Sequence, residues 1–140
     1  MSEPIETATE EVFISALAAV AAASNLQLVR QIDDGQLGPQ RLVVACRDLG
    51  EDKAVAYGGT YARHLQLEVH LHTNKGDVTA DQTEQTGAAV FLALKTPAPD
   101  PSATAPFAVL VIFEVAQSEL TFDRLNWVKV YTVLLTGKLL

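Results

Sequence analysis

The sequence predicts an α+β fold: a mainly antiparallel sheet of four or five strands with two helices packed on one face, in the order α-β-β-β-α-β-β. Three observations carry that expectation. Residues 61–73, YARHLQLEVHLHT, alternate strictly between apolar and polar side chains, the period of two that a half-buried strand requires. Two other stretches repeat their apolar residues at three and four, the helical spacing. The last third of the chain holds two apolar, β-branched runs separated by a polar turn, which is the signature of a terminal hairpin.

The elements follow in order. Thr7-Ala8-Thr9-Glu10 matches a capping box, and Val12, Phe13, Ala16, Leu17 and Val20 then fall on one stripe, so a first helix is expected to end at Ser24-Asn25. Six alanines between Ala16 and Ala23 make one side thin enough for close approach to a sheet or a neighbouring subunit. A short strand at residues 26–31 is followed by Asp33-Asp34-Gly35 and Gly38-Pro39, both turn-forming. Residues 42–46 form a second strand. Residues 48–60, DLGEDKAVAYGGT, are too long for a tight hairpin and are expected to project as an extended loop. The alternating strand comes next, closed by Asn74-Lys75-Gly76-Asp77.

A second capping box, Thr79-Ala80-Asp81-Gln82, opens a helix over residues 79–95 whose buried stripe is Gly87, Val90, Phe91 and Leu94. Pro97, Pro99, Pro101 and Pro106 make residues 96–106 a surface linker. FAVLVIFEV (107–115) is apolar on both faces, as expected of a central strand, or of one covered on one side by a partner. WVKVYTVLLT (127–136) is the last strand, and an opposite-charge pair between Glu114 and Lys129 is expected across this hairpin. At 140 residues the chain is one domain by length.

Composition narrows the function. A net charge of −7 opposes non-specific nucleic-acid binding, which needs Lys and Arg to neutralise phosphate; it suits a wall that DNA passes without adhering. Cys46, the one cysteine, rules out an intrachain disulfide and fits a small core residue in a reducing compartment. The acidic N-terminal stretch does not resemble an export signal, and no apolar run approaches the ~20 residues that span a bilayer. The expected setting is therefore inside a cell, with no membrane partner.

All three histidines, His64, His70 and His72, lie on the polar side of the alternating strand, together with Gln66 and Glu68. His70-x-His72 with Glu68 could share a divalent metal, but that needs further ligands in convergent geometry. The alternative is a solvent- or subunit-facing strand face. No phosphate loop, dinucleotide fingerprint or nucleophile elbow is present in the sequence, so neither a catalytic constellation nor a cofactor is expected. Cys46 and Glu114 are the remaining enzymatic candidates, without supporting residues. Trp127, opening the final strand, is a candidate packing or interface anchor.

Taken in sequence, these segments carry a resemblance. The N-terminal helix leading to RLVVACRD (41–48), the acidic loop before YARHLQLEVHLHTN (61–74), the helix TADQTEQTGAAVFLAL (79–94) and the terminal hairpin FAVLVIFEVAQSELTFDRLNWVKVYTVLLTG (107–137) together resemble the tail-terminator, or tail-completion, proteins of bacteriophages. The resemblance is one of order and texture over most of the chain, without an invariant motif. It implies a non-enzymatic virion protein, assembled in the host cytoplasm, that forms a ring of six copies at the end of the tail tube. Its partners would be copies of itself, the tail tube protein and a head–tail connector or neck protein, with DNA passing through the channel. His64, Gln66, Glu68, His70, His72 and Trp127 are then candidates for the subunit or partner interface. Another connector or neck protein would look alike in sequence, and a metal- or ligand-binding module using the histidine face is the alternative from a different class.

Overall fold

The computed structural model describes residues 4–30, 40–57, 60–95, 107–122 and 125–139. The elements are α1 (Ile5–Ala23), β1 (Gln27–Arg30), β2 (Arg41–Tyr57), β3 (Thr60–Asn74), α2 (Ala80–Lys95), β4 (Phe107–Gln117), β5 (Thr121–Phe122) and β6 (Asn126–Leu139). The fold is α+β, as the sequence predicts. The sheet runs β1-β2-β3-β6-β4, with the short β5 on β6; every pairing is antiparallel except β1 with β2. The sheet is therefore mixed.

β3 is the organising strand. Leu65, Leu67, Val69 and Leu71 are all at most 1% exposed and meet Leu42 and Val44 of β2, Tyr131, Val133 and Leu135 of β6, and Val12, Phe13 and Leu17 of α1 in one core. Each such side chain contributes about 1.5–3 kcal/mol on full burial. A one-residue slip would turn the whole row to solvent, so the apolar alternation itself fixes the register.

Each helix starts and stops for a local reason. α1 begins after Pro4, and the Ala8 amide donates to the Pro4 carbonyl at 3.0 Å. The expected capping box at Thr7 and Glu10 is thus displaced: proline's fixed φ opens the helix earlier, and Glu10 is engaged elsewhere. α1 ends at Ser24, and Asn25 takes the left-handed conformation (φ 55). The second capping box is formed as expected. The Gln82 amide donates to Thr79 Oγ1 at 3.1 Å, and the Thr79 amide to Gln82 Oε1 at 2.9 Å. Thr79→Ala should lower stability by about 1 kcal/mol, read as a lower midpoint in urea with an unchanged slope.

Three further expectations are corrected. Residues 48–57 are not a loop but the second half of β2, paired with β3 out to Tyr57 opposite Thr60. The strand bends at a bulge where Gly50 (φ 123) donates its amide to Asp48 Oδ1 at 2.9 Å. β6 pairs with β3 only as far as Arg63, so beyond that point β2 and β3 pair with each other as a two-stranded arm. Arg63 Nε on Asp48 Oδ2 at 2.9 Å clamps its root. The other expected projection, residues 96–106, lies outside the described residues.

β4 is not central either. It lies at the sheet edge with Val111 and Phe113 47% and 63% exposed, because β6 takes the inner place, paired to both β3 and β4. The Glu114–Lys129 pair does not form. Register sets Glu114 opposite Leu134, whereas Lys129, opposite Leu71, faces the helices, where its Nζ meets Glu84 Oε2 at 3.0 Å.

Candidate functional site

Because both helices pack on one face of the sheet, the other is left without a helical cover among the described residues. Its composition follows from register. Arg41, Val43, Ala45 and Arg47 of β2 stand opposite His72, His70, Glu68 and Gln66 of β3. Across the other side of β3 are Val128, Val130, Thr132 and Leu134 of β6. The face is thus basic and imidazole-bearing in one half and aliphatic in the other.

Hydrogen bonds link the polar half along the strand. Arg47 Nη2 donates to Gln66 Oε1 at 2.7 Å, and Gln66 Nε2 to Glu68 Oε1 at 3.5 Å. Glu68 Oε2 lies 3.2 Å from His70 Nε2. The His70 and His72 rings then stack, with centroids 6.3 Å apart and planes at 18°. A shallow concavity lined by Ala45, Cys46, Arg47, Gln66 and Glu68 lies beside this chain. His64 is exposed beyond it, opposite Thr136.

This geometry bears on the metal candidates His70, His72 and Glu68. Stacked, near-parallel rings do not aim two nitrogens at one point, and both Glu68 oxygens already face neighbouring side chains. Among the described residues no three His, Cys, Asp or Glu side chains are disposed to hold a metal ion.

Cys46 lies on the opposite face from the histidines, level with Leu67. Its amide donates to Glu10 Oε2 at 2.9 Å, and its thiol is pushed up to about 12, first by burial and then by the Glu10 carboxylate. The stability that this protonated thiol contributes is complete below its ordinary value of 9.0 and is lost as the pH rises from there to about 12. The thiol should be alkylated by iodoacetamide at pH 8.5 at least tenfold more slowly in the native than in the urea-unfolded protein.

Trp127 serves first as an internal anchor. Its Nε1 donates to the Val78 carbonyl at 3.0 Å, its ring meets Phe122 edge-on at 5.8 Å, and Lys75 Nζ sits 4.3 Å above the Phe122 ring. Beside this cluster Phe122 and Leu125 are 68% and 71% exposed. The sequence reading found the histidines but missed Arg41 and Arg47. Their signal was the alternation Arg41-Val43-Ala45-Arg47, which becomes visible only once β2 is set in register with β3.

No family model matches the chain, and no curated protein does. Among solved structures, the chain is similar to a chain in the virion of a native gene transfer agent (GTA) particle, with a TM-score of 0.56 and 11% identity over 98% of this chain and 100% of that one. The likeness is one of fold. It covers almost all of both chains, so it is not confined to a shared substructure. No described helix is long and apolar enough to cross a membrane.

Proposed function

We propose that the chain is a structural, non-enzymatic subunit of a phage-like virion: copies assemble as a ring, of six, that terminates the tail tube and joins it to the head or neck. The observation that carries this reading is the end-to-end fold likeness to a chain of the GTA virion. A sheet left uncovered on one face, with aliphatic residues over half of it, supports it, since ring subunits supply such cover to one another. On this reading the partners are other copies, the tail tube protein and a connector or neck protein. The net charge of −7 lets DNA pass the channel without adhering. Among the described residues Cys46 faces away from the imidazoles, and Glu114 stands opposite Leu134.

Negative-stain images of the purified protein test the reading. Rings with a central hole, capping tube ends when tube protein is added, are expected. Single small particles under all conditions would refute it.

A further inference from the structure

The two layers of the molecule carry opposite charge. The helical layer presents Glu6, Glu11 and Asp81 against Lys95, with Glu84 paired to Lys129 and Glu10 to Arg30. The open sheet face presents Arg41, Arg47 and Lys138, with the three imidazoles, against Glu68 and Glu114. In a chain of net charge −7 this basic face is an anomaly that composition conceals. Ala18, Ala19 and Ala22 of α1 and Ala88, Ala89 and Leu92 of α2 are exposed, so the outer side of the helical layer carries apolar surface between its acidic residues. The aliphatic half of the open face, Val128, Val130 and Leu134, offers a surface of the same kind.

We infer that copies of this chain associate front to back, the open sheet face of one seated on the acidic, alanine-lined helical layer of the next. The inference rests on the ring reading above and names the two surfaces that meet. A sheet-to-sheet contact centred on β2 and β3 would bring Arg41 and Arg47 near their own counterparts, and like charges placed opposite one another are unfavourable. Front-to-back contact pairs base with acid and apolar with apolar. It is also heterologous, and a heterologous contact closes into a ring when its rotation permits.

Charge reversal tests this, with the assembly constant read by sedimentation velocity and the fold of each variant checked by its far-UV spectrum. Arg47→Glu on the sheet, and Glu11→Lys with Asp81→Lys on the helices, should each weaken association at least tenfold. The three changes combined in one chain should recover most of the loss. A wild-type ring should also weaken as salt is raised from about 50 mM to about 1 M, where screening shortens to ~3 Å. A wild-type ring indifferent to salt and to both reversals would overturn the front-to-back contact and leave the ring reading standing. Weakening by each reversal without recovery in the combination would also overturn it, because the two surfaces would then have other partners. A wild-type chain that never associates would remove the ring reading itself and the inference with it.

Discussion

Gly87→Ala is expected to destabilise the protein by about 1–3 kcal/mol, the cost of overpacking a well-filled interior, although glycine to alanine within a helix ordinarily gains up to ~1 kcal/mol. The reason is a single contact. A Cβ on Gly87 would overlap the Tyr131 hydroxyl oxygen, and Tyr131 is fully buried between α2 and the sheet. That hydroxyl has no hydrogen-bond partner among the described residues, and burial and the Glu84 carboxylate together hold its proton on well above the usual phenol range. Removing it should therefore cost little: Tyr131→Phe should be neutral or stabilising by ~1 kcal/mol, since a buried, unpaired hydroxyl is unfavourable. In the Tyr131→Phe background the next ring atom lies 3.7 Å from the new Cβ, and Gly87→Ala should turn from destabilising to neutral or better. Urea unfolding of the two single variants and the double variant measures this coupling directly. Equal losses for Gly87→Ala in both backgrounds would contradict it.

The second large effect belongs to Glu10. It is 7% exposed, and its two oxygens are fully used: Oε1 accepts from Arg30 Nε at 2.8 Å and Oε2 from the Cys46 amide at 2.9 Å. One carboxylate thus ties α1 to β1 and to β2. Glu10→Ala should cost about 2–3 kcal/mol, because it removes hydrogen bonds to a charged acceptor and leaves a backbone amide unpaired. The loss should be local as well as global. Amide exchange should quicken at residues 27–30, which the Arg30 contact helps hold on β2, before it does along β3. Cys46 gives an independent readout: with burial and Glu10 raising its pKa, loss of the carboxylate should speed its alkylation.

What the sequence disclosed and what it concealed have physical reasons. The period-two alternation of β3 and the capping box at Thr79 and Gln82 are local signals, and both elements stand where they were expected. The second half of β2 was hidden because DLGEDKAVAY (48–57) has little apolar pattern of its own; its strand is held by pairing with β3 and bent at Gly50. The place of β4 was left open between centre and edge because an edge strand awaiting a cover and a central strand covered twice have the same two-sided apolarity; the structure puts it at the edge. Glu10 looked like a cap because its true partners, Arg30 and Cys46, are 20 and 36 residues away. The histidine row was legible from one strand alone. The charge asymmetry between the two faces was not, since it depends on which residues of four strands point the same way.

Light scattering behind a sizing column, across protein concentrations at neutral pH, addresses the central claim most directly. The account predicts a discrete closed species, about six times the 15.0 kDa of one chain, persisting on dilution. A mass of one chain at every concentration, with tube protein present or absent, would contradict it.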